Sequence, residues 1–176
     1  MRSWKYAVLI TDLIQIRRLG ETNRDENSRF RQFLKRHKYN ELKLRRIGQD
    51  IEEDIDCTQC ANCCRVAVVP LIERDIPKLA KALRMSVTKF EEKYVEWSDE
   101  ENCRVLKRTA EGCVFLSGNE CTIYDDRPSN CVHFPHVVKG EGPISTRMWQ
   151  FIDRASYCPI VYNSVEAWKD ETGFSR

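Results

Sequence analysis

Apolar positions recur at helical spacing through the first third of the chain and lose that regularity where the cysteines begin. Residues 4–19 carry Tyr6, Val8, Leu9, Leu13, Ile14 and Ile16, followed by Arg17, Arg18 and Gly20. Basic residues in a last turn before glycine are a helix-stop signal, although the run 7–11 fits a strand equally well. Two heavily charged helices are predicted over 25–38 and 40–54. Phe30, Phe33 and Leu34 stand at i, i+3 and i+4 in the first, and Leu42, Ile47 and Ile51 form a sparser stripe in the second. Residues 66–71 read as a short buried strand. Asp75 and Pro77 open a helix whose Ile76, Leu79, Ala80 and Leu83 share a face. Ser86 caps a shorter helix with Phe90 and Tyr94 four apart. Three β-like pieces follow, 104–107, 113–116 and 121–124, the last two joined by a turn at Gly118-Asn119. A loop over 140–143 then precedes one or two helices within 144–169.

This pattern predicts an α+β fold: a small, mostly helical, cysteine-rich metal-binding domain with a short β-hairpin and an N-terminal helical region. The expected division is 1–54, basic, helical and without cysteine, and 55–176, which carries every cysteine.

Charge sharpens that division. Residues 1–50 hold 13 Lys/Arg against 6 Asp/Glu, and residues 51–176 hold 16 against 21, so a net charge of +2 conceals +7 followed by −5. A basic arm of this kind fits nucleic acid or an acidic protein partner, and equally a solvated helical face. The apolar stretch 6–16 is interrupted by Asp12 and Gln15, lacks a small-residue cleavage site, and falls short of the roughly 20 apolar residues of a spanning helix. The expected compartment is the cytoplasm, with no membrane association. Thiols stay reduced there, and a cysteine cluster then means metal or catalysis. The nine cysteines are an odd number, so a fully paired disulfide framework would leave one over.

The densest signal is Cys57-Thr-Gln-Cys60-Ala-Asn-Cys63-Cys64. Each C-x2-C step sets two thiolates on one metal, and two overlapping steps supply three from a single loop. Zinc sites more often use separated knuckles. The C-x2-C-x2-C spacing is that of a cuboidal iron–sulfur cluster, whose fourth ligand is a remote cysteine followed by proline; Cys158-Pro159 is such a step. This favours a [4Fe–4S] cluster on Cys57, Cys60, Cys63 and Cys158, with Zn2+ as the alternative. Cys64, Cys113, Cys121 and Cys131 form a second candidate set, because a hairpin about Gly118-Asn119 brings Cys113 and Cys121 together. One centre or two are thus open, and buried thiols without metal are the plain alternative for Cys113, Cys121 and Cys131. Cys103 is read as a structural thiol. His133 and His136 are auxiliary ligand candidates, and Arg65 and Arg127 are placed to offset thiolate charge.

Other chemistries find no support. The C-x3-C-x2-C spacing of radical enzymes is absent, a thioredoxin-like βαβ unit is absent, and Gly140-Glu-Gly142 lacks the third glycine of a dinucleotide fingerprint. Asp125-Asp126, between Tyr124 and Arg127-Pro128, reads as turn chemistry. No catalytic residue can be assigned.

The ordered set Cys57-x2-Cys60-x2-Cys63-Cys64, Gly112-Cys113-Val-Phe-Leu116, Cys121-Thr-Ile-Tyr124 with Arg127-Pro128, Cys131 with Phe134-Pro135, and Cys158-Pro159 resembles the zinc- or iron-chelating cysteine-cluster family (YkgJ-like), which includes the flagellin lysine-N-methylases. The resemblance spans roughly residues 55–160. It implies Cys57, Cys60, Cys63, Cys64, Cys113, Cys121, Cys131 and Cys158 as metal ligands, with Cys103 an addition to the pattern. The first expectation for function is a metal-binding protein whose centre is structural or serves electron transfer or metal handling. The family's methylase members imply an S-adenosylmethionine-dependent lysine methylase as an alternative, for which no methyl-donor site is identifiable. A nucleic-acid-binding module through residues 1–50 is a third expectation.

Overall fold

The computed structural model describes residues 8–175; residues 4–7 of the first expected element lie outside them. That element starts later than the periodicity predicts. Asp12 accepts a hydrogen bond from the Gln15 N–H (2.7 Å) and so caps α1 (Leu13–Thr22). The segment before it is irregular: the Ile10 N–H and carbonyl bond the Asn163 side chain (3.0 and 2.8 Å) in place of a strand neighbour. Nor does Gly20 end the helix. It is buried inside α1, where a Cβ would lie 2.4 Å from the Ser156 Cα, so the glycine serves close packing.

By its internal contacts the chain divides into a unit made of Met1–Asp56 with Pro135–Arg176, and a unit made of Cys57–Phe134. Among the described residues no helix is long and apolar enough to cross a membrane.

Among the described residues, the regular elements of the first unit are all helices. With α1 it comprises α2 (Arg24–Arg36), α3 (Glu41–Asp54), α9 (Ile144–Arg154) and α10 (Pro159–Thr172). Phe30 and Leu34 are buried as their spacing predicts. In α3 the stripe is Leu44, Ile47 and Ile51, whereas Leu42 is 78% exposed, because i, i+3, i+7 from Leu44 is the row that faces α10. The Trp168 indole N–H donates to the Leu44 carbonyl (2.7 Å), pinning α10 to α3. Residues 155–158 split the expected C-terminal helix in two, and Pro159 starts the second at its first position.

Lys169 is wholly buried, with its Nζ 2.6 Å from Glu26 Oε1 and 2.7 Å from Glu166 Oε1. Removing the cation leaves two carboxylates facing each other in a low-dielectric core. Lys169→Met is therefore expected to cost about 3–5 kcal/mol, read as a fall in the urea midpoint. An unchanged midpoint would contradict it.

The second unit is made of shorter pieces. It runs α4 (Cys57–Cys60), α5 (Asn62–Val66), α6 (Asp75–Ala82), α7 (Val87–Tyr94), β1 (Val95–Ser98), β2 (Cys103–Leu106), β3 (Arg108–Thr109), β4 (Gly112–Cys113), β5 (Leu116–Ser117), β6 (Glu120–Cys121) and α8 (Ser129–His133). Three antiparallel ribbons replace the single expected hairpin: β1–β2, β3–β4 and β5–β6. The expected strand over 66–71 does not form. Val66 ends α5, and Pro70, which has no N–H to give, makes one isolated bridge to Val105. Leu71, Ile76, Leu79, Ala80, Phe90, Val95, Leu106, Phe115 and Ile123 form the core, with Cys113 and Cys121 packed against its edge.

Candidate metal centre

The C-x2-C-x2-C-C run folds as two single helical turns hinged at Ala61, which is buried and adopts a left-handed conformation (φ +46°). The hinge costs backbone energy for a residue with a Cβ. It is held by hydrogen bonds from the Ala61 N–H to the Cys57 carbonyl (3.1 Å) and from the Arg65 N–H to the Ala61 carbonyl (3.2 Å). Cys57 is exposed, and Cys60, Cys63 and Cys64 are half-buried.

Three side chains fasten this loop to the ribbons. Arg65 donates to the Cys60 carbonyl (3.1 Å), the Gly118 carbonyl (2.9 Å) and Asn119 Oδ1 (2.5 Å), while Asn119 Nδ2 returns a bond to the Gln59 carbonyl (3.1 Å). Arg108 donates to the Arg65 and Ala67 carbonyls (2.5 and 2.6 Å), at the end of α5. The turn predicted at Gly118-Asn119 therefore also clamps the cysteine loop. Arg108 and Asn119 gave no sequence signal beyond their neighbours; the one available was the position of Arg108 five residues before Cys113, which becomes the cross-strand partner Arg108↔Cys113.

Gly112 brings the two parts into contact. It adopts φ +133°, and a Cβ there would lie 2.6 Å from the Cys64 carbonyl oxygen and 2.8 Å from the Arg65 Cα. This approach sets Cys113, at the end of β4, beside Cys64. Cys121 comes from β6, opposite Leu116. The expected single hairpin between Cys113 and Cys121 is in fact two successive ribbons, each contributing one thiol. Cys131 lies in α8, whose start is tied to α6 through Asp75: one carboxylate oxygen accepts from the Ser129 N–H (3.0 Å) and hydroxyl (2.8 Å). Asn130 Nδ2 adds a bond to the Pro70 carbonyl (2.7 Å).

Electrostatics link these four sulfurs. Burial pushes the Cys131 thiol up to about 12, and the charges of Cys113, Cys64 and Cys121 push the same way, against Arg127. Burial likewise raises Cys113, reinforced by Cys64 and Cys121, and raises Cys121, reinforced by Cys64. Cys64 goes the other way, down to about 6, because the Cys63 side chain hydrogen-bonds it and Arg65 and Arg127 lie near. Burial thus raises Cys113, Cys121 and Cys131, each of which also feels the charge of Cys64, while Cys64 itself is lowered.

Among the described residues, no three or more Cys, His, Asp or Glu side chains are gathered closely enough to hold an ion as they stand. Neutral thiols have no reason to close to ligand distance, since a Zn–S bond of about 2.3 Å needs the thiolate. Cys64, Cys113, Cys121 and Cys131 are free thiols, donors of the kind that zinc and iron favour.

The remaining candidates belong to other elements. Cys103 pairs with Ser98 across β1–β2. Cys158 is buried in the helical unit as the N-cap residue of α10, and its carbonyl accepts from the Tyr162 N–H (3.0 Å). His133 is exposed at the end of α8, and His136, with φ +66°, belongs to the helical unit. Asp125 and Asp126 lie in the 3-10 turn Tyr124–Asp126, as the turn assignment expects.

No curated protein and no solved structure matches the chain. Residues 56–159, more than half of it, match the family model CxxCxxCC, described as "Putative zinc- or iron-chelating domain". The chain thus belongs to the CxxCxxCC zinc- or iron-chelating family.

Proposed function

We propose that the 57–134 unit is a metal-chelating module in which Cys64, Cys113, Cys121 and Cys131 hold one zinc or iron centre and the metal is part of the fold. The observation that carries this reading is the close approach of β4 to α5 at Gly112, whose Cβ position lies 2.6 Å from the Cys64 carbonyl oxygen, next to Cys113. The lengths of the elements support it. α4, α5 and α8 have four or five residues, and the strands of β3–β4 and β5–β6 have two each. Such pieces are not stable alone in water, and small units of this kind use a metal or disulfides as staples. A bound zinc supplies folding free energy through its ligands, and a bound iron–sulfur cluster adds one-electron transfer.

Cys57, Cys60 and Cys63 form a second thiol group on the same loop. We assign them to a further centre, with the C-x2-C-x2-C spacing as its support.

Proton release tests the four-thiol centre. Ligands must be thiolates, so metal uptake expels the protons that ordinary thiols, with a pKa of about 8.5, carry at pH 7. Adding Zn2+ to metal-stripped chain at pH 7 is expected to release at least about three protons per ion bound at this centre. A fourth follows below about pH 6, where Cys64 is itself protonated, or wherever its bond from Cys63 is lost with the fold. Apparent affinity therefore rises steeply with pH. Calorimetry in buffers of different ionisation enthalpy reads the number; release of one proton or fewer would contradict thiolate ligation.

A further inference from the structure

The positive charge of the N-terminal region is more local than its total suggests. Residues 27–46 hold eight Lys/Arg against one Asp/Glu, which is the whole of the +7 carried by residues 1–50. In the fold this stretch is the greater part of α2, the link to α3 and the first turns of α3. Among the described residues, two of the eight cations pair with a carboxylate: Lys43 with Glu171 (2.5 Å) and Arg45 with Glu41 (2.8 Å). Arg29, Lys35, Arg36 and Lys38 stand exposed. The arrangement works against α2 itself, because like charges at i, i+4, as in Arg31 and Lys35, weaken a helix.

Beside these cations runs a seam between two helices of the same unit. On α2, Arg24, Arg31 and Lys35 stand at i, i+7 and i+11 and so share one flank. On α9, Ser145, Trp149 and Asp153 stand four apart and share another. The two flanks are joined at both ends. Arg24 pairs with Asp153 (3.6 Å), and the Ser145 N–H donates to the hydroxyl of Tyr39, just past the end of α2 (3.2 Å). Trp149 therefore stands between the joined ends, on the flank of α9 turned to Arg31 and Lys35, and it is 58% exposed. Every exposed position of α2 is polar or charged, and Trp149 is the one exposed apolar side chain of α9. The acids of the two helices, Asp25, Glu26 and Asp153, lie at the Arg24 end, so positive charge rises towards Lys38. A membrane surface needs an apolar area that this face lacks. A nucleic-acid strand brings phosphates for the cations and flat bases for an exposed indole.

We infer that the α2–α9 face of the helical unit binds single-stranded nucleic acid, with Arg31, Lys35, Arg36 and Lys38 on phosphates and Trp149 stacked on a base. Phosphate contacts supply affinity without reading sequence, and stacking accepts any base, so the face binds strands with little sequence preference. A paired duplex turns its bases inward and offers the indole nothing to stack on, which sets the preference for single strands. The inference is independent of the metal centre proposed above and uses none of its residues.

The test uses the full chain as purified and a fluorescein-labelled oligothymidylate of about 12 nucleotides, read by anisotropy between about 50 and 200 mM salt. Binding is expected to weaken with salt at a log–log slope of about −3, as four phosphate contacts to a single strand require. The double variant Lys35→Gln, Lys38→Gln is expected to flatten that slope by about 1.4. Trp149→Ala is expected to lose about 10-fold in affinity with the slope unchanged, and Trp149→Phe to recover most of it, since a phenyl ring also stacks. All of these positions are exposed, so the fold is not at risk. The pair Lys81→Gln, Lys89→Gln removes equal charge from exposed sites in the other unit and is expected to leave slope and affinity as in the wild type. No binding at the lowest salt, or binding that neither the lysine pair nor Trp149→Ala alters, would overturn the inference. So would an equal loss in the Lys81, Lys89 control, or binding to phosphatidylserine vesicles with none to the oligothymidylate.

Discussion

Stripping the metal from the full chain under reducing, anaerobic conditions is expected to abolish the protected structure of residues 57–66 and 108–134. The helices α1, α2, α3, α9 and α10 are expected to keep theirs. The contrast is one of element length against crosslinks. The helical unit has helices of 10 to 14 residues and a core with Phe30, Phe151 and Trp168 fully buried, enough to fold on apolar burial. The cysteine-bearing pieces have two to five residues each, and nucleating any one of them fixes more backbone than its few hydrogen bonds return. Ligation in zinc-finger peptides contributes roughly 10–16 kcal/mol of apparent free energy, far more than those pieces hold otherwise. Hydrogen exchange resolved by residue is the measurement. Protection lost over the cysteine-bearing segments and kept in α3 and α10 is the expected result; protection unchanged in both would remove the metal from the folding account.

Gly112→Ala is expected to disrupt the site without touching a candidate ligand. The added methyl would meet the Cys64 carbonyl at 2.6 Å and the Arg65 Cα at 2.8 Å, both backbone atoms that no rotamer change can move, at a φ of +133°. The β3–β4 ribbon must therefore retreat from α5, carrying Cys113 away from Cys64. A stability loss of about 3 kcal/mol or more is expected, together with at least about a tenfold loss of Co2+ or Zn2+ affinity. Gly118→Ala is the control. It also has positive φ, +61°, but nothing lies within 4 Å of its Cβ position, so only the left-handed backbone penalty of about 1 kcal/mol applies. Equal effects from the two substitutions would show that backbone strain, and not the approach of β4 to α5, governs the site.

The legible parts of the fold were those fixed by local chemistry. Ser86 caps α7 as its position predicts, accepting from the Lys89 N–H at 3.3 Å, and the Phe90 and Tyr94 rings meet at 5.5 Å. Gly118-Asn119 makes its turn between β5 and β6. The illegible parts were those decided by distant neighbours. Gly20 looks like a helix stop until Ser156 packs against it, and Leu42 looks like a core residue until α10 settles on the Leu44 row. Residues 66–71 carry a strand composition that Pro70 limits to one bridge. In the site, cysteine spacing singled out the candidate ligands, but how β4 meets α5 depends on Gly112, and how the loop is clamped depends on Arg65, Arg108 and Asn119. Those contacts join residues about 40 to 60 positions apart, for which a single sequence carries no periodic signal.

The central claim is that Cys64, Cys113, Cys121 and Cys131 hold a zinc or iron centre. It is tested most directly by counting zinc, iron and acid-labile sulfide per chain in anaerobically purified protein, wild type beside the double variant Cys113→Ser, Cys131→Ser. A wild-type chain carrying zinc or iron, of which the double variant loses a full centre, is the predicted result. A wild-type chain without either metal, or a double variant that retains all of it, would contradict the account.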